Sequence, residues 1–341
     1  MLVEAQRNAT ELANAFFLGG YFRGIYEENR EQWEENLDIL AEEERLRGLV
    51  PELTWRSGPL TDRAGTRILT LAEKGHITVG HFRLFAYGSV INSLSEGVFR
   101  KWLQFLVRSQ DKTAASVSLT LSDYYYLEKE SGRSFPEELM FKLLTHDTLF
   151  KKGGAELGQM DDYHWTQLGK AFVDNYPQSS LNLAEKIIEH FGEDGTIIHG
   201  FHSSTHAVLN DIVRLKPEEM WALITKYIGP PIDSRGFRIS LWLRGGEFLE
   251  EAGGAVTMMP RDRIWEWVDG DIEKRVLFVA QIAPRTMSFD EWMSSLAREV
   301  LVRYGDRKDV RSELRANYST EGWSGSESAH YEGKKQILIQ F

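Results

Sequence analysis

Apolar residues recur along this chain at three- and four-residue intervals, in blocks each about one helix long. Proline or glycine closes most of these blocks, and no stretch sustains the two-residue alternation of a half-buried strand. The clearest unit runs from Met258 to Pro284. Pro260 opens a helix whose apolar side carries Ile264, Trp265 and Val268, and Asp269, Gly270 and Asp271 break it. A second helix follows with Arg275, Val276, Leu277, Val279 and Ala280, and Ala283-Pro284 ends it. A hairpin this small cannot bury its own apolar faces and has to stack on neighbours. Trp267 follows Trp265 by two positions and cannot share its face, which makes it the side chain to examine for exposure.

The same punctuation organises the rest. Residues 25–46 read as one acidic helix with Trp33, Leu37 and Leu40 at helical spacing and the charges on a solvated face. Pro51 opens a helix through Leu53 and Trp55, stopped by Ser57-Gly58-Pro59. Thr61 is the expected N-cap of the helix carrying Ile68, Leu69 and Leu71. Residues 77–109 and 113–131 read as helices joined by Gly and Ser breaks, with Val98, Trp102, Phe105 and Leu106 as one apolar stripe. Of Tyr124, Tyr125 and Tyr126, at least one has to face outward. Pro136 opens another helix. The glycine-containing break at 151–160 divides N-terminal helical repeats (1–150) from C-terminal ones (151–341), the two read as continuous. Ser288 is the expected cap of the helix running to Tyr304. The short stretch Gly195 to His199 and the tail Ile337-Leu338-Ile339 leave helix and extended chain both open. The expected class is all-α, built from helix pairs rather than a sandwich or βαβ units.

Two internal matches support an array. Pro217 followed by Trp221 parallels Pro260 followed by Trp265, each a proline-started helix with Trp on its apolar side. Asp271 with Arg275 parallels Asp309 with Arg311, and thirty-six positions separate the arginines, close to the period of two-helix repeats. The expected roles are structural: the Asp caps the second helix, and the Arg bridges to carboxylates of adjacent repeats.

Composition narrows the function classes. A chain of 341 residues exceeds what one core usually supports, so two domains or an extended array are expected. With 10 Trp, 12 Tyr and 18 Phe it is rich enough in aromatics to fold. There is no Cys, which removes disulfides and thiolate metal sites and fits a reducing cytoplasm. No apolar run reaches membrane-span length, and residues 1–20 lack the secretory pattern. A net charge of −11 and a pI near 5.4 argue against a general nucleic-acid binder.

Candidate chemistry is sparse. His199, His202 and His206 form the sharpest cluster, and the last two share a helix face at zinc-site spacing. Ser203 stands where a metalloprotease would carry Glu, so the alternatives are a three-histidine metal site or histidines packed beside a turn. The paired acids Asp161-Asp162, Glu218-Glu219 and Glu250-Glu251 are expected by number in so acidic a chain. There is no G-x-S-x-G, and nothing in the sequence ties Ser122-Asp123-Tyr124 to a base. Arg235, Arg238 and Arg244 recur around Trp242 and form either a stripe for phosphate or acidic protein surfaces or a set of inter-repeat bridges. The turn 322–328 sets Trp323 among Gly and Ser, as a recognition loop or a turn pinning that ring to the last helix.

The Asp-to-Arg pattern resembles HEAT repeats, which build right-handed α-solenoids of antiparallel helix pairs. Residues 264–284, 302–314 and 321–335, with the same flavour at 46–65 and 84–97, resemble the helical sensor region that ends many bacterial STAND-type (NACHT-like) NTPases, anti-phage defence proteins among them. The resemblance implies a non-enzymatic scaffold without cofactors that binds a protein ligand, a phage protein included, through aromatic anchors and arginines. The residues marked for that role are Trp267, Trp323, Arg235, Arg238 and Arg244. It also implies NTPase and effector modules ahead of the solenoid. The chain departs from that pattern in having no G-x-x-x-x-G-K-[ST], since residues 153–160 lack the lysine. The expectation is therefore a C-terminal part of a longer chain or a stand-alone relative, with no nucleotide hydrolysis of its own and a cytoplasmic location. The competing readings are a metal-dependent enzyme or metal-stabilised fold on the three histidines, and a structural adaptor.

Overall fold

In a computed structural model of the protein, the described residues are 2–9, 15–128, 132–150, 160–191, 201–228, 232–245, 254–284 and 293–319, with backbone alone for 201–203 and 319. Among them every regular element is helical. The chain forms two compact units, Met1–Tyr176 and Pro177–Phe341. The break expected to divide the repeats lies outside the described residues except for Met160.

The first unit contains α1 (Leu2–Arg7), α2 (Phe16–Glu28), α3 (Arg30–Glu42), α4 (Val50–Ser57) and α5 (Asp62–Glu73). After a 3-10 segment (Val79–Ser93) come α6 (Glu96–Arg108), α7 (Ala114–Tyr126), α8 (Glu137–Leu144), α9 (Asp147–Phe150) and α10 (Asp161–Asn175). These pack in two rows. One runs α2, α4, the 3-10 segment, α7 and α10; the other runs α3, α5, α6 and α8. The second unit holds α11 (Ser180–Glu189), α12 (Phe201–Leu215), α13 (Pro217–Ile224), α14 (Ser234–Arg244), α15 (Arg261–Asp269), α16 (Ile272–Ile282), α17 (Ser295–Tyr304) and α18 (Lys308–Ser319). There α11, α13 and α15 form one row, and α14, α16 and α18 another. Most helices of these rows thus meet the matching helix one pair along, and many also meet the helix next to them in sequence.

Side-chain caps explain many of the boundaries. Asn29, Thr61, Ser95, Asp233, Asp271 and Ser294 each accept a hydrogen bond from a backbone N–H of the first turn. Two expectations on boundaries need correction. Residues 25–46 are not one helix: Asn29 is extended (φ −151°), ends α2 and caps α3. Residues 79–93 are 3-10 turns kinked at Tyr87, Gly88 and Ser89. Ser288 lies outside the described residues, and the helix it was expected to cap is described from Ser295, with Ser294 as its cap. The α6 stripe is rotated slightly from the expected one: Phe99, Trp102, Leu103 and Leu106 are buried, and Val98 and Phe105 flank them half-buried. Of the three tyrosines, Tyr124 is the exposed one.

The core is aromatic, and its tryptophans also act as pins. Trp33 donates its indole N–H to Ser57 Oγ at 2.9 Å, Trp102 to the Gly65 carbonyl at 2.8 Å, and Trp242 to Asn210 Oδ1 at 2.9 Å. Trp165 reaches the Leu144 carbonyl, Trp55 that of Tyr87, and Trp221 that of Arg263. A buried indole must find an acceptor, and finding it on the next helix fixes the packing register. Polar contacts between neighbouring pairs recur at similar sequence separations. Tyr125 to Leu94 spans 31 residues, Tyr26 to Pro59 33, Tyr318 to Pro284 34, Asn317 to Ala280 37, and Arg235 to Phe191 44. That spread brackets the length of a two-helix repeat.

Candidate functional site

The repeat arginines behave differently from the expectation. Asp271 does cap α16, its carboxylate accepting from the Lys274 N–H. Arg275, however, bridges to no carboxylate among the described residues: it donates to the Trp267 carbonyl at 2.6 Å and lays its guanidinium over the Trp267 ring, 5.0 Å from the centroid. Arg311 likewise donates to the carbonyls of Gly305 and Asp306 at the end of α17. In this second copy Asp309 pairs with Arg307 and does not take the capping place of Asp271. Helix C-termini leave carbonyls without intrahelical donors, so a guanidinium there satisfies backbone and dipole together. The same device recurs with the same spacing. Arg133 donates to the Tyr125 carbonyl and lies 4.0 Å over its ring, and Arg235 lies 5.4 Å over Tyr227.

This arrangement positions Trp267. The ring is half-buried, edge-on to Trp221 at 5.7 Å and to Phe278 at 5.9 Å. Among the described residues it is the one tryptophan whose indole N–H makes no hydrogen bond. That N–H is also absent from the buried atoms lacking a partner, so it reaches solvent. Trp267 and Trp221 are among the residues lining an open groove of about 860 Å³ between α13 and α15. The rim is acidic: Glu218, Glu219 and Glu266 stand against Arg263. Arg263 bonds Glu266 at 2.9 Å and Glu218 at 3.0 Å, spanning both helices. Those hydrogen bonds, Glu266 first, raise its pKa above the usual arginine value. The groove offers the part of the Trp267 ring that Arg275 and its neighbours leave uncovered, an indole donor and a net negative rim, with Trp221 buried behind it. Chemically that suits an apolar or cationic side chain.

The other marked residues do not gather here. Arg235 donates to the carbonyls of Phe191 at 3.0 Å and Glu189 at 3.1 Å, at the C-terminus of α11. Arg244 reaches Asn317 Oδ1 at 3.2 Å, and Arg238 is exposed. Trp323 and His199 lie outside the described residues, as does the side chain of His202. His206 is half-buried, its ring 6.3 Å from Phe191 and 6.5 Å from Trp242. Among the described residues no group of three or more His, Asp or Glu could hold a metal.

One pairing escaped the sequence reading. Asp123 on α7 hydrogen-bonds the buried ring of His164 on α10, with Tyr124 and Tyr163 beside it. Their 41-residue separation matches the other inter-pair contacts, which is the signal that could have found them. The adjacent Ser122 hydroxyl is fully buried and hydrogen-bonds neither residue of the pair. No described helix is long and apolar enough to cross a membrane. Comparison with family models, curated proteins and solved structures gives no match.

Proposed function

We propose that this chain is a non-enzymatic protein-recognition scaffold, a right-handed HEAT-like solenoid of antiparallel helix pairs. In this reading it serves as the ligand-sensing region of a STAND-type defence NTPase whose NTPase and effector modules lie elsewhere in a longer chain. Two rows of helices in each unit, and polar contacts spaced by about one helix pair, support the solenoid. The observation that carries the recognition reading is Trp267. Every other described tryptophan donates its N–H to an acceptor of the chain, whereas Trp267 has no such acceptor and lines an acid-rimmed groove. Rigid aromatic anchors of this kind dominate protein interfaces. The ligand chemistry that fits is a protein surface presenting an apolar side chain beside lysine or arginine, and a phage protein is the source the resemblance implies.

Two measurements test the reading. Purified chain should show no ATP hydrolysis, and specific turnover in a clean preparation would sink it. An NTPase encoded upstream in the same reading frame is the expected genomic context; a frame holding no such module argues for the structural adaptor instead.

A further inference from the structure

One row of the first unit, α2, α4, the 3-10 segment, α7 and α10, presents an aromatic ring outward from each member. Phe16, Tyr87, Tyr124 and Tyr163 are 61, 59, 47 and 52% exposed, while Phe22, Phe85, Tyr125 and Trp165 on the same elements are buried. Trp55 on α4 is half-buried. These five rings follow one another at 39, 32, 37 and 39 positions, the interval of a helix pair. Inside the row, α4, the 3-10 segment and α7 have row neighbours on both sides, so a side chain exposed on them points outward.

Contacts join the rings into one strip. Arg56 lies 5.5 Å from the Phe16 ring and 5.5 Å from the Trp55 ring, and Trp55 donates to the Tyr87 carbonyl at 3.3 Å. Arg83 bonded to Ser116 and Asn92 bonded to Glu128 set Tyr124 opposite residues 88–91. The Tyr124 and Tyr163 rings each lie 5.7 Å from that of His164. A kink holds Tyr87 outward: its backbone is extended (φ −92°, ψ 138°), and Gly88 and Ser89 follow at positive φ. Serine in that region is uncommon and persists where the surrounding fold imposes it. Among the described residues the hydroxyls of Tyr87, Tyr124 and Tyr163 bond no group of the chain. The charges between the rings are used internally: Arg56 pairs with Glu52, Asp123 with His164, and Arg83 holds Ser116. That leaves no line of free cations for a phosphate backbone and suits an uncharged ligand rich in acceptors.

We propose that this strip binds a proline-rich segment of a partner protein in the polyproline II conformation. Packed helix axes stand about 8–10 Å apart, and one three-residue turn of polyproline II rises about 9 Å. Prolines at every third position therefore meet successive rings. The ligand's carbonyls have no internal hydrogen bonds and accept from the tyrosine hydroxyls. An extended strand repeats its side chains on one face every ~7 Å and falls out of step. The strip belongs to the first unit and stands independently of the tryptophan groove.

The test is calorimetric titration of the full chain with a proline peptide of about 12 residues, long enough for the four ring intervals. Saturable one-to-one binding is expected, weakened about fivefold in Tyr87→Ala and in Tyr124→Ala at unchanged melting temperature, and about threefold in Tyr124→Phe. A serine peptide with proline at every third position should bind more tightly than its scrambled isomer. Absence of saturation, equal affinity in wild type and both alanine variants, or equal affinity for the scrambled isomer overturns the proposal. So does tighter binding of a β-linked glucose oligosaccharide, which would make the strip a glycan surface.

Discussion

At the scale of single residues, two neighbouring tryptophans divide structure from recognition. Trp265 is buried, donates to Glu299 at 2.7 Å and has Arg303 stacked 4.5 Å over its ring. Its replacement by alanine should cost about 3–5 kcal/mol in urea unfolding. Trp267→Ala leaves mostly groove behind and should cost about 1 kcal/mol. Equal losses would show that Trp267 belongs to the core after all. Arg67 is a different case. Removing it strands the buried Glu34 carboxylate, so Arg67→Ala should destabilise by about 3–5 kcal/mol. Its second partner gives a pH signature. Burial pushes the Asp38 carboxyl up, but hydrogen bonds from Arg67 and Arg63 prevail and hold it below its usual value. A depressed folded-state pKa adds stability that is fully present above the unfolded value near 3.9 and is lost as pH falls below it. Asp38→Asn should therefore lower stability at neutral pH and flatten the acid limb of the stability curve. An unchanged acid limb would remove Asp38 from the account.

At the scale of elements, punctuation was legible and partners were not. Proline starts at Pro51 and Pro217 and caps at Thr61 and Asp271 stand where local rules put them, because a cap needs only the next three residues. Asn29 misled, since its short polar side chain within an acidic run looks like one more solvated position until its φ is known. Arg275 misled for another reason. Its acceptor is a backbone carbonyl, and a sequence displays charges but not which carbonyls a helix end exposes. The aromatic-to-arginine spacing of eight, at Tyr125–Arg133, Tyr227–Arg235 and Trp267–Arg275, was the available signal. Asp271→Ala should cost about 1 kcal/mol, read as a lowered melting temperature. Arg275→Ala should in addition loosen the Trp267 ring, detected as a shifted indole fluorescence maximum; an unshifted spectrum would show the stack to be incidental.

At the scale of the whole molecule, the all-helical class was readable from periodicity, whereas the tryptophan groove joins residues from different helix pairs and left no local trace. Trp221 and Trp267 meet across α13 and α15. Each unit's rows repeat the same neighbour relations, so its folding energy should be distributed rather than concentrated in one centre. The central claim is that Trp267 forms part of a protein-binding surface. The most direct measurement is affinity capture from phage-infected and uninfected bacterial cells, using wild-type chain and the Trp267→Ala variant side by side. The account predicts a partner retained only from infected cells, lost with Trp267→Ala, and bound by the purified wild-type chain. Retention unaffected by the variant, or no infection-specific partner, would contradict it.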